Sequence, residues 1–261
     1  MEKLILQTEI LWPAFLAGLL VLVTHVPLGR EVLQRGIIFL DLAIAQIAAF
    51  GVVVTQVFWH GEQSDGAHTL IAISAAIAGS IGLYSLRRSE VRVQEAIIGI
   101  VFILAATGSI LALATDPHGG ERLKALLVGQ ILWLQPQELL PLAITYAVVL
   151  LVWVWLRAKL GDWLFYPLFA ITITLSTQVV GVYLVFASLI IPSLVTLRSS
   201  YPLIKGFTVG TAGYFSGLLA AGLWDLPAGA AIVWCLAVVA SIYHAMVLLK
   251  QKTQSSCFTK G

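Results

Sequence analysis

The sequence predicts an all-α integral membrane protein of eight to nine transmembrane helices, and three observations predict it. Of 261 residues, 59% are hydrophobic and 11% are charged, against roughly 25% charged in soluble domains. Mean hydropathy is +0.96. The apolar residues gather in long runs broken by short polar loops. A soluble fold of this length cannot hide so much apolar surface, whereas a hydrocarbon core of about 30 Å needs about 20 apolar residues per helix. A net charge of +2 is too small to point to a nucleic-acid partner. Residues 1–250 read as a single transmembrane domain and 251–261 as a short cytoplasmic tail.

The first span is expected at 8–26. Glu9 interrupts the apolar run from Leu4 and no small-x-small site follows, so Ile10 to Val26 reads as a retained span rather than a cleaved signal. The others fall at 37–59, 69–86, 95–115, 139–156, 162–176, 179–196, 207–223 and 228–249. Segment 123–135 is too short to cross and reads as an interfacial or re-entrant helix, tolerable only against protein. The pair 162–176 and 179–196 reads either as two crossings or as one crossing and a broken half-helix, with the break near Ser176-Thr177-Gln178. Gly206 with Gly210, and Gly213 with Gly217 and Ala221, recur at four-residue spacing. Such small residues let helices approach closely, within the chain or across a dimer face.

Basic residues orient the spans. Arg30 and Arg35; Arg87, Arg88 and Arg92; Arg157 and Lys159; Arg198 and Lys205; and Lys250, Lys252 and Lys260 are 12 of the 15 Lys and Arg residues. They occupy alternate loops if nine spans cross, with the N-terminus outside. The other loops carry His60, Glu62, Asp65, His68, Asp116, His118 and Glu121. Histidine and carboxylate suit Zn²⁺ or Mn²⁺, so His60, Glu62, Asp65, His68 and His118 are candidates for external metal capture or docking; a solvated loop explains them equally well. Cys235 and Cys257 match no metal finger or disulfide framework. No nucleophile-elbow or zinc-protease pattern is present, and no G-x-x-x-x-G-K-[ST] phosphate loop.

Asp41 lies early in the span 37–59. A carboxylate there is costly and is usually functional or paired: a ligand or attractor on a cation path, or an acid paired with Arg35 at the cytoplasmic end. Glu95 beside Arg92 reads as a solvated helix N-terminal acid, favoured by the helix dipole, and Gln178 as a partner for backbone freed at the suspected break. His25 and His244 read as interfacial.

Five segments, in order, resemble the metal-transporting ABC-3 permease family: Gly29–Asp41 (GREVLQRGIIFLD), Glu95–Phe102 (EAIIGIVF), Val128–Leu132 (VGQIL), Val180–Pro192 (VGVYLVFASLIIP) and Asp225–Val233 (DLPAGAAIV). The resemblance implies an ABC importer permease in a bacterial-type inner membrane. It further implies a homodimer, a separate cytoplasmic ABC ATPase subunit that uses the ATP, and an extracytoplasmic metal-binding protein. This chain itself would bind no cofactor. The cargo would be a divalent transition metal: zinc, manganese or iron. Typical members carry Asp followed four residues later by His on the second helix. Gln46, five residues before Gly51, best matches the His. Asp41 is then five residues away rather than four, or roughly 140° around a regular helix. Convergence requires a π-bulge, expected as an i→i+5 bond between residues 41 and 47, and Gln is a poorer Zn²⁺ ligand than His. The translocation path is therefore assigned to Asp41, Gln46, Gln178 and Glu95. The stretch Leu197–Lys205, with Arg198, Tyr201, Leu203 and Lys205, is best placed to dock the ATPase. A chelate importer for siderophore or haem, and a secondary transporter, are the alternatives; the absence of a paired charge array and of a clear inverted repeat argues against the last.

Overall fold

The computed structural model describes residues 2–58, 65–114 and 116–258. Among these, helices alone form the fold: α1 Glu2–Arg35, α2 Leu40–Phe58, α3 Asp65–Tyr84, α4 Val91–Ala112, α5 Gly119–Val128, α6 Pro136–Leu160, α7 Asp162–Val180, α8 Val182–Thr196, α9 Pro202–Trp224 and α10 Ala228–Phe258. Helices satisfy every backbone group within the segment, which is what a lipid environment demands. Six stretches are long and apolar enough to cross a membrane, at Ile10–Arg35, Gly66–Arg88, Val91–Ala112, Pro136–Leu156, Trp163–Val180 and Ala228–Leu249. Leu40–Gln56 and Val182–Thr196 are apolar but shorter, and α9 is long but diluted by glycine. Among the described residues six helices meet both length and composition for a crossing, so the expected count of eight to nine is not confirmed.

Three boundaries differ from expectation. The first helix does not end at Val26 but runs through Pro27 to Arg35. The break between α7 and α8 falls at Gly181, with φ 81°, and not at Ser176–Gln178. Those three residues stay helical, and Ser176 and Thr177 satisfy their hydroxyls by donating to the carbonyls of Thr172 and Ile173 in their own helix. The expected re-entrant segment 123–135 is the helix α5, which starts earlier, at Gly119, and stops at Gly129, whose φ is also positive.

Side-chain contacts sort the helix ends into two sets. Arg35 of α1 lies over the Phe165 ring of α7, Tyr84 of α3 packs edge-on against Tyr166 of α7, and Gln94 of α4 donates to the Tyr166 hydroxyl at 3.0 Å. These elements meet at the end that carries the basic loops, called here the basic end. At the opposite end Thr69 of α3 donates to Gln178 of α7, and Arg122 of α5 donates to Gln56 of α2.

The glycine ladder of α9 is consumed inside the chain. A Cβ on Gly206 or Gly210 would press on Val26 or Leu22 of α1; one on Gly213 or Gly217 would strike Leu236 or Ile232 of α10. The ladder therefore packs α1 and α10 against α9. Two buried tyrosines of this core find hydroxyl partners, which lowers the cost of burying them: Tyr214 with Ser188 at 2.8 Å and Tyr146 with Ser176 at 2.5 Å.

Candidate functional site

The largest cavity described is a groove of about 700 Å³ bounded by α2, α4, α5, α8 and α10. Leu42 and Gln46 of α2 line it, with Phe102 and Ile110 of α4, Leu127 of α5, Tyr183 and Phe186 of α8, and Val233 and Trp234 of α10. Leu42 and Gln46 are four apart, so a regular helix turns both the same way. The α2 helix is α-helical from Leu40 to Phe58. The widened turn expected between residues 41 and 47 is not formed, and Asp41 and Gln46 are not brought together. Gln46 faces the groove; Asp41 does not line it.

Asp41 occupies the first turn of α2, where a carboxylate is favoured by the helix dipole. It is 1% exposed, and no side chain hydrogen-bonds its carboxylate, whose nearest donors are the backbone amides of Asp41 and Leu42 at the start of the helix. Arg35 does not pair with it; that guanidinium meets Glu31 at 3.5 Å and Phe165. Glu95 is the acid near Asp41 and acts on it electrostatically. Its Oε1 accepts the Phe39 amide at 3.1 Å, at the start of α2, and its Oε2 is buried without a partner. Glu95 is therefore not the solvated helix-terminal acid expected. The helix α4 begins four residues earlier, at Val91, which places Glu95 one turn inside, against α2. At this point three carboxylate oxygens are buried without a side-chain partner.

A second cavity, of about 440 Å³, lies at the opposite end. Thr69, Gln130, Glu138, Thr145 and Gln178 line it together with Trp133 and Val179. Its wall toward the groove is a crossing of two turns. Gly129 ends α5 and Gly181 joins α7 to α8. A Cβ on either glycine would strike the backbone of the other turn. Leu127 and Val182, on one side of the crossing, line the groove; Gln130 and Val179, on the other, line the second cavity.

The remaining sequence-predicted residues are dispersed. His60 and Glu62 lie outside the described residues, as does the side chain of Asp65. His68 is in the first turns of α3, with Nδ1 buried and unpartnered. His118 is the residue before α5, makes no side-chain cap bond and faces Glu121 at 3.6 Å, while Asp116 pairs with Arg122 at 3.3 Å. Among the described residues no three His, Cys, Asp or Glu side chains converge as a metal cluster. His25, expected at an interface, is fully buried in α1 with Nε2 unpartnered; His244 is exposed. At the basic end, Tyr201, Leu203 and Ile204 project their apolar side chains into the open, at 66%, 47% and 69% exposure, and Arg198 is exposed beside them. Lys205 folds back to Ser199 Oγ at 2.6 Å, tying the 197–201 turn to the first turn of α9.

The ABC 3 transport family model matches this sequence over residues 7–167 and 156–247, which spans the groove, the second cavity and the basic-end turn. The chain belongs to the ABC 3 transport family. Its fold is that of known members of such systems. This permease superposes with TM-score 0.69 and 20% identity on a chain of PsaBC from Streptococcus pneumoniae in complex with Fab, covering 90% of each chain. It superposes with TM-score 0.64 and 16% identity on an inward-facing metal-chelate type ABC transporter, covering 91% of this chain and 85% of the other. A relative of 24% identity over 275 residues is an uncharacterized membrane protein of the ycf23–apcF intergenic region of Cyanophora paradoxa. That alignment takes in 96% of this chain and 90% of the relative. The permease is a multi-pass membrane protein and a transport subunit.

The sequence had singled out Gln46 in the groove but not its companions. Starting from Gln46 and stepping by helical period would have named Leu42; nothing local in α8 or α10 distinguishes Tyr183, Phe186 or Trp234 from lipid-facing residues.

Proposed function

We propose that this permease is the membrane-spanning subunit of an importer for a transition metal (zinc, manganese or iron), driven by a separate ATPase and supplied by an extracytoplasmic metal-binding protein. The groove carries the reading: it has a volume of about 700 Å³, it is bounded by five helices, and it holds Gln46 in a largely apolar wall. A second copy facing the groove would close it into a path between two permeases, with one amide from each. Asp41 and Glu95 stand at its basic end, where carboxyl groups buried without side-chain partners would favour an approaching positive charge. Gln178 stands at its other end, beyond the glycine crossing. The exposed apolar residues Tyr201, Leu203 and Ile204, flanked by Arg198, suit a groove on an ATPase subunit, since a monomer gains nothing by exposing them to water.

Two measurements test this. The chain co-expressed with the ATPase of its own operon should co-purify with it and stimulate hydrolysis, and none should occur in the chain alone. Deleting the chain should lower cellular zinc, manganese or iron, read by elemental mass spectrometry. An unchanged metal content together with no stimulated hydrolysis would reject the proposal.

A further inference from the structure

We propose that the metal crosses the groove inside a ligand shell of its own, as a chelate, and is not coordinated by this permease at mid-membrane. The inference rests on the functional reading above and names the form of its cargo.

Chemistry of the wall decides it. A bare Zn²⁺, Mn²⁺ or Fe²⁺ that leaves water needs replacement ligands, and the side chains that supply them are imidazole, thiolate and carboxylate. Among the described residues none of these lines the groove. The polar side-chain atoms on its wall are the Gln46 amide, the Tyr183 hydroxyl and the Trp234 indole N–H. An indole N–H is a donor only, and the neutral oxygens of Gln46 and Tyr183, even doubled by a second copy, hold no charge to replace the hydration shell of a divalent ion. Asp41, the nearest carboxylate on α2, points away and is buried. An ion stripped of water here would face mostly hydrocarbon, a cost of many kcal/mol. A chelate brings its donors with it and turns its outer atoms to the wall. The groove has the features of such a site: its 700 Å³ falls within the roughly 300–1,000 Å³ of small-molecule pockets, with apolar and aromatic walls and a few polar groups to orient the guest. Gln46 and Tyr183 would orient it.

The test is metal binding by the intact permease–ATPase complex in nanodiscs, with chelator-free Co²⁺ as the optical probe and ⁶⁵Zn²⁺ as the equilibrium probe. The wild type should show no saturable binding that Gln46→Ala removes, and no ATP-dependent uptake of bare ⁶⁵Zn²⁺ in proteoliposomes. The double substitution Leu42→Asp/Gln46→His puts a carboxylate and an imidazole on one face of α2, four residues apart. It should create a saturable site at least tenfold tighter than anything in the wild type, with the ligand-field spectrum of coordinated Co²⁺. Gln46→His alone, which adds no buried charge, should give a weaker site and guards against misfolding of the double variant. Gln46-dependent binding of bare metal in the wild type, or ATP-driven uptake of it, overturns the proposal. So does failure of both substitutions to bind in complexes that remain monodisperse, because the two positions then do not share the groove. ATPase stimulation is read on the same samples: its loss in the wild type would sink the importer reading itself, whereas the binding results decide only the form of the cargo.

Discussion

The groove and the opposite-end cavity lie on the two sides of one backbone crossing, yet their walls are built oppositely. Five polar side chains (Thr69, Gln130, Glu138, Thr145 and Gln178) line the smaller cavity. The larger groove has Leu42, Phe102, Leu127, Phe186 and Val233, with Gln46 among them. The difference follows solvent. Near a membrane surface water satisfies a polar group at little cost, whereas deeper each one must find a partner or be functional. Gln46 is therefore the informative residue of the groove, while no single polar residue of the other cavity stands out.

The strongest way to break that contrast is to disturb the crossing that separates the two. Gly181→Ala puts a Cβ into the Gly129 backbone at a φ of 81°. It should destabilise the permease by about 3 kcal/mol or more, read as a large drop in thermal midpoint in detergent, with Gly129→Ala similar. A wild-type midpoint for both would mean that the two cavities are not held apart here.

Coupling at the basic end should be separable from both cavities. Charged replacements at Tyr201 and Leu203 together should cut stimulated ATP hydrolysis at least tenfold and leave the thermal midpoint near wild type, because both side chains are exposed. Undiminished co-purification and hydrolysis would place docking elsewhere, for which the exposed residues around Arg87 and Arg88 are the next candidates.

Asp41→Asn sharpens the contrast at the groove's edge. It removes a buried carboxylate that no side chain pairs with. Neutralising such a group is expected to leave stability unchanged or raise it by about 1 kcal/mol, while metal uptake falls several-fold if positive charge is drawn to this point. A fall in stability with normal uptake would reduce Asp41 to a helix-terminal acid.

The smallest effect belongs to the polar cavity. Thr69→Val removes a 3.3 Å hydrogen bond to Gln178 at an exposed site, and water replaces it. A change below about 0.5 kcal/mol is expected, with uptake unaltered. A large loss of uptake would show that the vestibule recognises the cargo.

Much of this was legible in the residues. Lipid as the solvent, the helical class and the basic loops follow from composition and run length, because a bilayer leaves the backbone few choices. The five ordered segments pointed to the family that the comparison established. Gln46 stood out because the family resemblance matches it to the position where typical members carry His. Helix ends were less legible. Pro27 looked like a terminus, yet α1 passes through it, held by α8 and α9 on either side. The α7–α8 break was sought at a polar triplet, but Ser176 and Thr177 turn their hydroxyls back onto their own helix, and the chain breaks where glycine admits a positive φ.

Facing, finally, belonged to the tertiary structure. The sequence determined that Asp41 and Gln46 stand five apart and so diverge on any regular helix. Which of the two would meet the groove depended on where α4, α8 and α10 pack around α2. The same holds for Glu95, an acid beside Arg92 in the sequence, which turns to the start of α2 because α4 begins a turn early. Sequence sets the angle between side chains on one helix, through the fixed turn per residue. Only the packing of helices distant in the chain sets which side of that helix is path, core or lipid.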